Sequence, residues 1–352
     1  MPSFIHEFAN ISFFQSAWFG IMAMVLVGSS WCLIGYIMGD APKRGIEPGL
    51  VQFFGAVFSA SVSLGIILAT DSIPRCSLKV SLLTCGALAL GGAMNFFMLM
   101  IMSFAMQRGP NGIIWAIIQS ALVFPFLGGI VFFGVAVTWY RLLGLVLLLA
   151  ALGFFAAGKD NSTRSSGWKI PAFICLAICA VQQNLSTAPA YFEEARAVNS
   201  IVRTFSASGG GLIAAILYLF FRNTPDRRTF SIASLRNVTL WKYIGGLQFF
   251  HLFFAYTLFY PGMNAMADHG LGGMCYPMMV GSCIITFTLL SILILKERFR
   301  FVQGFGLGLC VLGLAMLCCP QPDRRSGDDA VRPKNAEVVQ ASTPDDTVAV
   351  PD

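Results

Sequence analysis

The chain has 352 residues, of which 56% are hydrophobic and 11% charged, with a formal net charge of +6. Soluble domains carry about 25% charged residues, so a water-soluble globular fold is excluded, and no polar connection is long enough to hold a large soluble domain. The basic excess lies between apolar segments, so it implies a lipid bilayer as partner and no nucleic acid.

After a short segment at 1–16, apolar runs follow at 17–38, 49–69, 80–105, 110–133 and 142–157. A connection at 158–169 leads to a second set at 170–192, 204–221, 243–260, 270–295 and 301–319. A bilayer core of about 30 Å needs about 20 apolar residues per helix. In lipid every backbone N–H and C=O must be satisfied within its own segment, which makes these runs helices. The expected fold is an all-α polytopic membrane protein with ten transmembrane helices. Residues 320–352 are rich in Pro, Asp and Ser and read as a disordered tail, because they cannot bury enough apolar surface to fold alone.

Counting Lys and Arg sets the expected orientation. Connections after odd-numbered runs hold Lys43, Arg44, Arg108, Lys159, Arg164, Lys169, Arg222, Arg227, Arg228, Arg236, Lys242, Lys296, Arg298 and Arg300. Those after even-numbered runs hold Arg75, Lys79, Arg141, Arg196 and Arg203, and the C-terminal tail adds Arg324, Arg325, Arg332 and Lys334 on that side. Positive charge stays inside, so both termini are expected on the outer side of an inner (plasma) membrane.

Similar patterns recur in the two sets. Gly109, Gly112 and Trp115 are matched 161 residues later by Gly270, Gly273 and Tyr276, and Gly91-Gly92 with Phe96 is matched by Gly245-Gly246 with Phe250. Five helices per copy is an odd number, so the copies at 17–157 and 170–319 would be inverted repeats, a plan that many transporters share.

Several of these residues carry a family resemblance. Pro277 precedes Leu295-Lys296-Glu297-Arg298-Phe299, and Gly304, Gly306, Gly308 and Gly313 follow on the last run. In this the chain resembles the drug/metabolite transporter superfamily (EamA-like ten-helix members). It is most similar to the L-rhamnose–proton symporter group through Lys43-Arg44, Gly91-Gly92 before Asn95, Ala188-Pro189-Ala190-Tyr191-Phe192-Glu193-Glu194-Ala195, Gly209-Gly210-Gly211 and Leu247-Gln248-Phe249-Phe250. That resemblance implies a small-molecule substrate, a sugar first of all, moved by a proton gradient with no bound cofactor.

Individual residues offer chemistry for such a task. His251 is the one ionisable side chain inside the runs as drawn, where charge is costly. Imidazole titrates near neutrality, so His251 is either a coupling group or a neutral hydrogen-bonded histidine. Glu193 and Glu194 at the end of the sixth run are further proton-coupling candidates or an interfacial ion-pair cluster. Asn95, Gln119, Gln182, Gln183, Asn184 and Gln248 place amides within the runs. Amides donate and accept, which suits a hydroxyl-rich ligand and equally suits bonding between helices. Trp115 and Tyr276 could supply rings against a sugar face. The ten cysteines are scattered with no His or carboxylate to complete a metal-ligand set. No phosphate-binding loop, HExxH or GxSxG pattern is present, so no enzyme is expected. Two other readings share this sequence: an exporter or exchanger of amino acids or related metabolites, and a non-transporting membrane sensor or structural protein. Oligomeric state is not legible.

Overall fold

A computed structural model describes residues 16–70, 77–133, 138–157, 166–196, 198–222, 235–268, 275–296 and 301–317. The chain divides into Met1–Cys319 and Pro320–Asp352, and the second unit lies outside the described residues. The described residues are helical, without strands. In chain order they form α1 (Ala17–Ser30), α2 (Cys32–Asp40), α3 (Pro48–Thr70), α4 (Leu78–Met106), α5 (Asn111–Gln119), α6 (Val123–Phe133), α7 (Trp139–Ala157) and α8 (Lys169–Thr187). There follow α9 (Glu193–Arg196), α10 (Ser200–Arg222), α11 (Val238–Gln248), α12 (Tyr260–Asp268), α13 (Cys275–Leu293) and α14 (Phe301–Leu317).

Local chemistry fixes the helix starts. Ser16 accepts from the Phe19 amide at 3.2 Å, Ser77 from Val80 at 3.4 Å, and Asn237 from Thr239 at 3.0 Å. Each satisfies one of the four amides that a helix start leaves unpaired. Pro48 opens α3, where a missing N–H costs nothing.

Among the described residues, seven helical segments are long and apolar enough to cross a membrane: 17–40, 48–70, 78–106, 111–128, 169–186, 200–222 and 275–293. Shorter apolar helices lie at 139–151 and 304–316. The chain is therefore a multi-pass helical membrane protein. Large apolar side chains on the outer face stay exposed, among them Leu68, Phe220, Phe221 and Leu293, which is the surface lipid would cover. The 111–128 segment differs, with 78% of it buried inside the protein against 17–50% for the other six. Protein rather than lipid surrounds α5, which packs on α8 and α13 and, less extensively, on α2, α4 and α7.

The helix pairings are reciprocal. α7 pairs with α14, and α3 with α10; α4 lies along both α8 and α10, and α1 along α12 and α13. The α4–α10 crossing brings backbones into contact at two places. A Cβ on Gly92 would sit 1.9 Å from the Ala207 carbonyl oxygen, and one on Gly210 would sit 1.8 Å from that of Ala89. Close approach through small residues is how helices associate where lipid removes the hydrophobic drive.

Candidate substrate site at three helix breaks

Three of the apolar runs are not continuous α-helices. The first breaks at Trp31, whose amide reaches both Val27 and Gly28 carbonyls while Ser30 Oγ bonds back to Val27 at 2.7 Å. The fourth tightens to a 3-10 turn at Ser120–Leu122; Ser120 Oγ donates to the Ala116 carbonyl at 2.8 Å, and Pro125 has no amide to give Ala121. The eighth loosens into π-helix over Phe249–Phe253 and Ala255–Phe259 between α11 and α12. Such wide turns are rare and gather at functional sites. The first and third breaks lie against one another, with Ser30, Trp31, Leu33 and Ile34 facing Leu247 and Phe250 and no room for a water between them.

Two polar groups of residues flank the breaks. One surrounds α5. Trp115 is 2% exposed and its ring packs on Phe287, with centroids 5.2 Å apart. Gly35 makes room for both rings, since a Cβ there would meet Phe287 at 2.7 Å and Trp115 at 3.0 Å. Cys283 lies beside the indole and near Cys32 and Cys179, and Gln183 Nε2 donates to Cys179 Sγ at 3.3 Å. One turn on from Trp115, Gln119 is 6% exposed. Gln119 Oε1 is buried without a hydrogen-bond partner among the described residues, and the indole N–H has only the weakly accepting Cys283 sulfur beside it. A buried polar group left unmade costs about 1–3 kcal/mol, so this pair one turn apart marks a place where a water or a ligand belongs.

The other group joins α3 to α11. Ser59 Oγ donates to Gln248 Oε1 at 2.7 Å, with both residues buried. Gly55 gives the amide its space, as a Cβ there would fall 2.6 Å from Gln248 Nε2. Ser63, one turn further along α3, is fully buried and its hydroxyl has no partner.

The other candidates are dispersed. Asn95 is half-buried on α4. Gln182 donates to Ser186 Oγ at 3.3 Å beside Gly91, and Asn184 bonds back to the Ala180 carbonyl at 2.8 Å. Tyr276 packs on Phe259 at 6.5 Å, in the apolar cluster of Phe19, Met24 and Met279, so the repeat match with Trp115 does not bring the two rings together. Glu194 is exposed on α9, and Arg203 donates to the Ala195 carbonyl at 2.6 Å and to that of Val198 at 2.9 Å. The side chains of His251 and Glu193 lie outside the described residues. Arg141 needs a correction. Its charge placed it in a connection, yet it is the third residue of α7 and 6% exposed.

Sequence reasoning passed over four groups that the fold makes prominent: Ser59, Ser63, Asp40 and Glu47. Serines are common in membrane helices, and nothing local distinguishes the pair on α3. The two carboxylates had a faint signal in the i,i+4 series Tyr36–Asp40–Arg44, but their other partners are 171 and 203 residues away.

No family profile matches the chain, and no curated protein sequence matches it. Fifteen chains of solved structures do. One of them, described only as the crystal structure of a protein, matches with a TM-score of 0.57 at 16% identity, over 85% of this chain and 95% of that one. At that identity the likeness shows a shared helical fold and no more.

Proposed function

We propose that the protein is a secondary transporter that moves a small polar metabolite, a sugar by proton symport, across the inner membrane by alternating access. Ten crossings in two inverted five-helix halves would place the substrate between the halves, at the breaks near Trp31, Ser120 and Phe249. The observation that carries this reading is the buried polar pair on α5: Gln119 Oε1, without a partner among the described residues, and one turn away the Trp115 indole N–H, with only the Cys283 sulfur beside it. A hydroxyl-rich ligand donates to the first and accepts from the second. Supporting the inverted plan, the pairings α7–α14, α3–α10 and α5–α13 each join corresponding members of the two sets, and α4–α10 has its counterpart in α3–α11. His251, in the π-helical stretch, is the proposed proton carrier. Both termini face outward on the charge count.

Substrate-induced current on proteoliposomes under an inward proton gradient, with panels of sugars, amino acids and amines, tests this directly. An inward current with one sugar class is expected, with His251→Ala losing the pH response. Signal from amino acids or amines alone would move the assignment to an exporter or exchanger. Silence across all panels would leave a membrane protein of another class.

A further inference from the structure

Two carboxylates tie the first five apolar runs to the second five at one end of the helix bundle, and they do so through tyrosine. The turn after α2 makes this possible. Pro42 opens a 3-10 turn, and Gly45 closes it with φ +70°, a left-handed conformation that costs glycine nothing. Arg44 is thereby folded back over Asp40, its Nε 2.6 Å from Oδ2. Tyr36, one turn earlier, donates to the same oxygen at 3.4 Å, and Tyr243 of α11 donates to it as well. Seven residues on, Glu47 at the start of α3 accepts from Tyr218 of α10 at 2.9 Å, and Arg222 lies 3.7 Å from its other oxygen. Gly49 lets the Tyr218 ring lie against α3, where a Cβ would meet it at 2.7 Å. Asp40 and Glu47 are 13% and 26% exposed, so water reaches them but does not surround them.

The other end of the bundle is held by different chemistry. There Phe19, Ala23 and Met24 pack on Ala265 and Met266, while Val198, Ile201 and Val202 meet Ile66, Ile67 and Cys85. Opening an apolar seal exposes hydrocarbon, at a cost of about 25 cal/mol per Å². At the tyrosine–carboxylate end Ile46, Leu50, Leu240 and Ile244 also pack into the apolar core, but the hydrogen-bonded groups at the rim already touch water, which replaces each lost bond.

We propose that Asp40–Tyr243 and Glu47–Tyr218 form a polar gate: the contacts that break when this end of the transporter opens, with α11 swinging from α2 and α10 from the start of α3. The gate deepens the transport reading and rests on it. Its test does not need the substrate. Hydrogen–deuterium exchange would be followed by mass spectrometry on the full chain in lipid nanodiscs, comparing wild type with Tyr243→Phe/Tyr218→Phe. The gate predicts exchange faster by about tenfold or more in residues 41–50 and 236–247, the factor that a hydrogen bond to a charged group carries. Tyr140→Phe, on α7 and in neither carboxylate contact, should leave exchange at 41–50 and 236–247 as in wild type. Wild-type rates in both segments of the double variant would overturn the gate. Should the double variant aggregate, Asp40→Asn gives a second route: it keeps the volume and removes the charge, so exchange at 41–50 and 236–247 should again rise, and wild-type rates would again overturn the proposal. Absence of current for every solute, with altered exchange intact, would count against transport and leave the clasp in place.

Discussion

Gln119 and Trp115 carry the central prediction at the scale of single residues. Gln119→Leu keeps the volume and removes an oxygen that the protein leaves unsatisfied. Thermal denaturation in detergent should show the variant as stable as wild type or more so, by up to about 1–3 kcal/mol, while substrate-induced current falls at least tenfold. A stability loss with unchanged current would make Gln119 a packing residue. A second prediction contrasts two neighbouring glycines. Gly209 has open space around it, whereas a Cβ on Gly210 would overlap the Ala89 carbonyl. Gly209→Ala should be neutral or stabilising by under about 1 kcal/mol, since alanine lowers the entropy of the unfolded chain. Gly210→Ala should destabilise by about 1–3 kcal/mol, the usual range for overpacking, and paired melting curves would separate the two.

Among the elements, the junction of α3 with α11 is the most informative. Ser59 and Gln248 form a buried hydrogen bond immediately before the π-helical stretch, so their bond fixes where the loosened turn begins. Ser59→Ala strands a buried amide oxygen and should cost about 1–3 kcal/mol. Adding Gln248→Leu should recover part of that loss, and a double-mutant cycle on melting midpoints should give a coupling near 1 kcal/mol. Strict additivity would mean that the two side chains do not hold the elements together. Amides and Gly pairs on these helices were legible in the sequence, because few polar residues occur in such runs. Which amide meets another helix was not: Gln248 reaches Ser59 on α3, whereas Gln182, Gln183 and Asn184 bond within α8 itself, to Ser186, Cys179 and Ala180. Rotation about the helix axis, set by packing, decides that.

On the scale of the whole molecule, charge asymmetry sets a testable orientation. A reporter that is active only outside the cytoplasm should be active when fused to the C-terminus and silent when inserted after Arg44; the reverse pattern would invert the assignment. This matters for the gate, because the connections that carry Arg44, Arg222 and Arg236 lie at the Asp40–Tyr243 end. The expected orientation makes that end cytoplasmic, so the gate would control exchange with the cell interior.

The sequence by itself determined the solvent. Long apolar runs leave the backbone no partner but itself, so helices in a membrane follow from composition and length alone. Only the tertiary structure decided which helix is wrapped in protein. α5 reads as apolar as its neighbours, yet it is buried on every side because α2, α4, α7, α8 and α13 close around it. The same holds for Asp40 and Glu47. Their tyrosine partners come from α10 and α11, and a contact across 171 or 203 residues has no local signature, because helix docking creates it and chain order does not.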